Sequence, residues 1–545
     1  MWLGLSRPNV AELKAEDMHD GQFQATADAG ALSARIVDRL TPGHVAALTF
    51  AVLTACTAAA LLAATGGHLF YSLDDPYIHL ALAERIAAGH YGINPDEVTS
   101  PASSILWPFL FVPGAGSPLH PFLPLIVNLL CGLATVLICA RIAEALPLPG
   151  SDPGTHVKKL AIAACLVIAT NTVGLAFTGM EHNLQVVLAV AAAAGLLEVF
   201  RGRPMPAWAL VAALVGPAVR YEMFAVTIGV AITLFGLRQR WRAVGLVAAA
   251  AVIPVAFSLF LLANGNSPLP NSVLTKLHLT GATAGGTWPF AHLLPPNWAD
   301  NLPQKATMWL ILGALLLWAR QHQGIQRWVL AAAAAAALLH LLLGRFGWFS
   351  RYEIYALAFC GLIALWQMAK VSPRYVVYAA MLPAALYVGP LLNTPAASRN
   401  IQQQQYQMAR FVQAQYRKPF AVNDLGLVSY RLDRSIYVLD LWGLASNEAA
   451  RRRNKSPDWL DDITRRHGAG LAMIYDEWFP AVPRSWTKVG VLTIPAPVIT
   501  PASDRVSFYA TAVGNADEIA RELTAFKPSL PAGVTLQINA PSQPR

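Results

Sequence analysis

The chain has 545 residues, of which 55% are hydrophobic and 13% are charged, and its mean hydropathy is +0.43. A soluble globular chain carries nearer ~25% charge, so these values exclude an ordinary soluble enzyme and place most of the chain in lipid. The formal net charge of +9 does not require a nucleic-acid partner, because membrane proteins collect Lys and Arg in cytoplasmic loops.

Residues 1–43 read as a polar cytoplasmic tail. From residue 40 to residue 73 no Asp, Glu, Lys or Arg occurs, a run longer than the ~20 apolar residues needed to cross a bilayer. It starts far from Met1 and acidic residues precede it, which predicts a retained span and not a cleaved signal peptide. Apolar runs at 44–70, 121–145, 159–177, 184–200, 206–219, 223–237, 243–263, 306–319, 329–343, 354–369 and 375–392 predict eleven spans. Together they form a transmembrane domain over 44–392.

Two kinds of connection alternate between these spans. Short basic ones fall at 158–159, 201–203, 238–242, 319–327 and 370–374, and longer or mixed ones at 71–120, 178–183, 220–222, 264–305 and 344–353. The positive-inside rule puts the basic set and the N-terminus in the cytoplasm. The mixed set, with the first outer loop at 71–120, is then outside.

Residues 393–545 change character and lie outside as well. "QQQQYQMARFVQAQYRK" reads as a polar helix, and "FAVND", "SIYVLDL" and "AMIYDEW" read as strands, with the helical "SPDWLDDITRRHG" between the last two. This alternation predicts an extracytoplasmic α/β domain. None of the five cysteines lies there, so neither a disulfide framework nor a Cys zinc site is available to it.

Candidate chemistry gathers in the outer loops. Asp74 and Asp75 stand just past the first span, in "YSLDDPYIHLALAERIAAGHY". Asp75 before Pro76 suits a helix N-cap, and Ile78, Leu82 and Ile86 form one stripe, which predicts an amphipathic helix on the membrane surface. A cap needs one carboxylate, however, and two adjacent ones repel unless a cation is near. Such a pair suits a general base or a divalent-cation site. Glu181 interrupts two spans in a very short loop, where it has little structural use. Arg220 with Glu222, Lys276, Arg345 and Arg351 with Tyr352 add cations suited to phosphate oxygens; each cation has a bland alternative, reaching from a span end to lipid headgroups. Carboxylates beside cations fit attack on a donor with an anionic phosphate leaving group. With no Gly-rich phosphate loop before a helix, a lipid-linked donor is the economical inference.

The residues "LDDPYIHLALAERIAAGHYGINPDEVTSPASSILWPF" resemble the first outer loop of the GT-C superfamily, membrane glycosyltransferases that use polyprenyl-phosphate sugars, in its arabinofuranosyltransferase-like or mannosyltransferase-like branch. Asp74 and Asp75 match the acidic pair, Gly89-His90 and Asn94-Pro95 the middle, and Ser104 to Trp107 the end. "TGMEHNL" (178–184), "VRYEMF", "PLPNSVLTK" with Asn271 and Lys276, "SRYEIYAL" and "VNDLGLVSYRLDRSIYVLDLWGLAS" are similar to further family segments in the same order, so the resemblance covers roughly residues 70–445. His90-Tyr91-Gly92 and Arg220-Tyr221-Glu222 depart from the family pattern.

The resemblance implies a polytopic GT-C-like fold with a soluble α/β tail and an inverting, single-displacement transfer. The sugar would move from a polyprenyl-phosphate donor to an envelope glycan, lipid or protein acceptor, at the outer face of a bacterial cytoplasmic membrane. Asp74 or Asp75 would be the base, and some superfamily members hold a divalent cation beside that pair. His90, Glu181, Arg220, Glu222, Asn271 and Tyr352 would line the site, and Lys276, Arg345 and Arg351 would hold the donor phosphate. The rival readings are a transporter or flippase of lipid-linked sugars, an oligosaccharide ligase with a diphosphate leaving group, and a non-catalytic scaffold. Transporters place ionisable groups at mid-span on broken helices, often in repeated halves; these spans are nearly free of charge and show no repeat.

Overall fold

The computed structural model describes residues 39–150, 153–275, 300–452, 454–479 and 481–539. Among them are nine helices long and apolar enough to cross a membrane and two shorter apolar ones, 207–219 and 221–236. These match the eleven predicted spans one for one. The principal membrane helices are α1 (Pro42–Ala64), α3 (Leu123–Ala145), α4 (Pro153–Ala169) continued by α5 (Thr172–Thr178), α6 (His182–Phe200), α7 (Ala207–Val219), α8 (Phe224–Gly236), α9 (Arg240–Ala263), α10 (Leu302–Gln321), α11 (Gly324–Leu343), α12 (Ile354–Val371) and α13 (Val376–Gln403). α6 is the hub, packed against α3, α7, α11 and α12. Its Ala189, Ala192, Ala193 and Gly195 are all buried, and small residues let neighbouring backbones approach closely where lipid supplies no hydrophobic drive.

The two kinds of connection separate to opposite ends of the bundle. At one end Arg201 lies over the Trp366 ring, Lys370 over Phe200, and Gln367 meets His322. At the other, Ser103 bonds Glu181, Arg220 bonds Glu181, Arg351 bonds Asp75, and Asn266 bonds the Val98 carbonyl. The mixed connections therefore converge on one face.

That face carries the tail. β1 (Phe420–Val422), β2 (Val438–Asp440), β3 (Leu471–Ile474), β4 (Thr487–Thr493), β5 (Arg505–Ala510) and β6 (Thr535–Ile538) form one sheet in the order β2-β1-β3-β5-β4-β6. β1 pairs parallel with β2 and β3, and the remaining pairings are antiparallel. The first three strands and the helix Pro457–Arg466, capped by Ser456 with Pro457 in its first turn, lie where the sequence places them.

Three expectations need correction. α13 runs through residue 392 without a break and continues as α14 (Gln405–Phe411), so the boundary at 392/393 falls inside a helix. Second, α2 (Asp75–Ala87) does not lie on the membrane surface with one face wet: Tyr77, Ile78, His79, Leu80, Ala81 and Leu82 are all buried. It is sandwiched between the turn Pro108–Gly114 and the tail helix α15 (Gly426–Ser429). The loop and the tail thereby share one apolar core, in which Ile78, Leu80 and Trp107 join Phe411, Val428 and Phe508. Burying each large apolar side chain of this water-facing layer contributes roughly 1.5–3 kcal/mol, so α2 docks the tail. Third, Asp75 is the first residue of α2, and Asp74 holds the cap position with no side-chain bond to its own helix.

Candidate active site

The acidic pair splits in two directions. Asp74 turns toward the tail, where its Oδ2 accepts from Gly426 N at 2.6 Å and its Oδ1 from Leu427 N at 2.9 Å. Any Cβ at residue 426 would overlap the Asp74 backbone oxygen and carboxylate, so the approach needs glycine. The Asp74 carboxyl also hydrogen-bonds that of Asp424. Gln405 Nε2 and the Tyr475 hydroxyl, each 2.8 Å from Asp424 Oδ2, complete this network. Burial pushes both carboxyls above the usual carboxylate range, and the charge of Asp424 adds to this at Asp74 and that of Asp75 at Asp424. Two buried carboxyls in contact are stable with one shared proton. Asp74 is thus an anchor for the tail.

Asp75 turns the other way. Its Oδ2 accepts from Arg351 Nη2 at 2.6 Å, and 37% of its side chain is open. Arg351 is only 1% exposed, and its Nε and Nη1 have no partner among the described residues. Burial alone would lower the guanidinium's affinity for its proton; Tyr352 and Asp75 reverse that. Arg351 follows a left-handed turn in which Gly347, Trp348, Phe349 and Ser350 have φ of 82°, 49°, 62° and 52°. Left-handed backbone costs an L-residue roughly 1–2 kcal/mol, and strain of this kind concentrates at functional sites.

A second group adjoins the first. Arg220, buried in the break between α7 and α8, bonds Glu181 through Nη1 at 2.6 Å and Glu222 through Nη2 at 2.8 Å and Nε at 3.2 Å. Its fork is consumed by two carboxylates, whereas two N–H-bearing nitrogens of Arg351 have no partner among the described residues. Glu181 also accepts from Ser103 Oγ at 2.8 Å and lies 3.7 Å from His79 Nε2. Burial raises the Glu181 carboxyl, but Arg220, with the His182 and His79 imidazoles, overcomes this and holds it below the usual range. The Tyr352 ring sits between two guanidiniums, with Arg220 Cζ at 5.5 Å and Arg351 Cζ at 5.1 Å from its centroid. The His182 ring meets it edge-on. Arg345 is half-buried beside Tyr352, Glu222 and Arg220.

The structure therefore brings together Asp75, Glu181, Arg220, Glu222, Arg345, Arg351 and Tyr352. It does not bring His90 to them. His90 sits beyond the C-terminal end of α2, with Nε2 3.2 Å from the Glu97 carbonyl, and the 13-residue helix puts about 20 Å between it and Asp75. Asn271 ties the tail to the bundle through Asn447 Oδ1 at 2.9 Å and the Leu444 carbonyl at 3.3 Å. Lys276 lies outside the described residues. Among the described residues no cluster of three or more His, Cys, Asp or Glu is arranged for a metal ion. Amide N–H groups on both Asp74 oxygens and a guanidinium on Asp75 do not fit a divalent cation bridging the pair.

Sequence reasoning missed Ser103, His79, Tyr475 and Asp424. Asp424, His79 and Ser103 had a signal, since all three lie within segments quoted for the resemblance; Tyr475 directly follows an apolar strand and had none.

Among solved structures the chain is similar to ArnT from Cupriavidus metallidurans in the apo state, at 12% identity over 85% of this chain and 98% of that one, with a TM-score of 0.42. It is likewise similar to ArnT bound to undecaprenyl phosphate, at 13% identity over 85% and 98%, with a TM-score of 0.41. For the Archaeoglobus fulgidus oligosaccharyltransferase in complex with Zn and sulfate the values are 9% identity, 90% and 74% coverage, and a TM-score of 0.44. No curated protein matches the chain. Residues 399–509 match a family model described as a domain of unknown function, DUF8728, and this is the stretch that supplies Gln405, Asp424, Gly426 and Tyr475 to the Asp74 network.

Proposed function

We propose that this protein is an inverting membrane glycosyltransferase of the GT-C type. It takes a sugar from a polyprenyl-phosphate donor and passes it to an envelope acceptor at the outer face of the cytoplasmic membrane. The observation that carries the reading is Arg351. A buried guanidinium holds a partly open carboxylate with one nitrogen and keeps Nε and Nη1 without partners among the described residues, at a membrane boundary. A buried cation with unused donors calls for an anion, and the phosphate of a lipid-linked sugar reaches that depth with its chain left in the bilayer.

In this reading Asp75 accepts the proton of an acceptor hydroxyl as its oxygen attacks the anomeric carbon. The bond from that carbon to the phosphate oxygen breaks, and polyprenyl phosphate leaves. Arg351, with Arg345 nearby, stabilises the charge gathering on the phosphate. Glu181 and Glu222 keep Arg220 in place. A recess between α4, α10, α12 and α13, lined by Leu310, Ile311, Ala314, Leu357, Gly361 and Leu365 among others, gives an apolar wall suited to an isoprenoid chain.

The test is transfer of labelled sugar from purified polyprenyl-phosphate donors to an envelope extract, comparing wild type with Asp75→Asn and Asp74→Asn. Loss in Asp75→Asn with folding intact supports the reading. Full activity in that variant overturns Asp75 as the base, and no transfer by wild type from any donor overturns the transferase.

A further inference from the structure

Glu353 takes no part in the chemistry above, yet it is fully buried at the start of α12. In "SRYEIYAL" it follows Arg351 and Tyr352, and the resemblance gives it no role. Burying a carboxylate is costly unless it holds something. Beside the buried Tyr387 hydroxyl, what Glu353 holds is backbone: its Oε2 accepts from Gly347 N at 2.9 Å. Gly347 opens the left-handed turn, and the turn closes on Arg351, whose N donates to the Gly347 carbonyl at 3.2 Å. At Gly347 the φ of +82° and the contact with Asn301, which any Cβ would overlap, both require glycine. Three non-glycine residues in a row then keep positive φ, a conformation that persists only where its surroundings over-determine it. The Glu353 carboxylate is the polar side chain bonded to the turn's first amide, and Arg351 is the turn's product.

We infer that Glu353 is a positioning residue: by clamping the Gly347 amide it fixes the turn that delivers Arg351 to Asp75. The inference rests on the transferase reading for its readout, though not for its geometry. It assigns a use to the carboxylate that lies two residues past the arginine and touches neither Asp75 nor the proposed phosphate position.

The experiment is a double-mutant cycle on the full chain in detergent or nanodiscs, with labelled transfer from a polyprenyl-phosphate sugar. Glu353→Leu removes the acceptor and lowers kcat/KM by about 10–100-fold. Glu353→Gln keeps an oxygen for Gly347 N and stays within about 3-fold of wild type. In an Arg351→Ala background Glu353→Leu causes less than a 3-fold further loss, because residues acting through one another are non-additive. Gly347→Ala reproduces the Glu353→Leu loss by breaking the same turn from its other side. A full additional 10–100-fold loss in the Arg351→Ala background, or equal activity of Glu353→Leu and wild type, overturns the inference. If Arg351→Ala and Asp75→Asn themselves leave transfer intact, the assignment of these two residues to the site falls, and if wild type transfers nothing from any donor, the transferase reading falls. Loss in those two with no effect of Glu353→Leu sinks the positioning role alone.

Discussion

Arg351 and Asp75 are 276 residues apart in sequence and 2.6 Å apart in space. The pairing joins the N-terminus of α2 to the connection before α12, and it leaves part of Asp75 open while burying Arg351. Replacing the carboxylate by an amide keeps its shape and removes its basicity. Asp75→Asn is expected to lower kcat for sugar transfer by about 10²–10⁴-fold, the range for loss of a general base. Arg351→Lys keeps the charge but not the planar fork and is expected to lower kcat/KM by about 10–100-fold. Steady-state transfer kinetics check both, and an Asp75→Asn variant within 3-fold of wild type refutes the assignment.

The Asp74–Asp424 contact predicts a pH dependence. Both folded carboxyls titrate above their unfolded values, so the folded state binds more protons than the unfolded state above about pH 4. Its stabilising share is therefore fully present in acid and is lost as pH rises through the raised values. Asp424→Asn keeps a hydrogen-bonding partner for Asp74 without a second charge. The thermal unfolding temperature in detergent is expected to fall more steeply for wild type than for Asp424→Asn as pH rises above the usual carboxylate range; parallel slopes contradict the shared proton.

Arg220 is buried between Glu181 and Glu222, and removing one partner of a buried ion pair strands the other. Glu181→Gln is expected to cost about 3–5 kcal/mol of stability. Ser103→Ala, which removes one neutral donor to the same carboxylate, is expected to cost about 1 kcal/mol. Denaturation of the two variants side by side distinguishes this from a purely catalytic Glu181, for which the stability of both would equal that of wild type.

Gly361 lines the apolar recess, and a Cβ there would find its nearest neighbour, Ile311 Cδ1, only at 4.0 Å. A β-carbon at 361 therefore meets no close neighbour, and the longer side chain of Gly361→Leu narrows the recess. The expected result is a rise of about 10-fold in KM for a full-length polyprenyl-phosphate sugar and none for a short-chain analogue. An equal change for both donors means that the recess does not hold the chain.

The spans were legible because lipid tolerates so few polar residues that their absence marks a helix. The alternation of basic and mixed connections carried the sidedness of the loops. β1, β2 and β3 were legible as compact β-branched and apolar runs, whereas β4 to β6 were not, because long-range antiparallel pairing organises them and Gly490 interrupts the first. At the site, Asp75 and Arg351 were legible as candidate residues but not as partners. No local pattern reports that a tail aspartate folds back on Asp74, or that Arg220 spends its fork on two carboxylates while Arg351 does not. His90 shows the opposite failure: it belongs to the same motif as Asp75, and a straight helix carries it away.

α13 crosses the membrane and enters the tail as one 28-residue helix. Pro383, Pro390 and Pro395 lie inside it, and each removes a backbone hydrogen bond from the helix, so the helix is weakened on both sides of the boundary. Gln402 at its upper end bonds the Thr65 carbonyl just past α1 and braces it there. The tail is thus joined to the bundle by a proline-softened helix held from the side, and what steadies it is this lateral contact and the docked α2 more than the stiffness of α13.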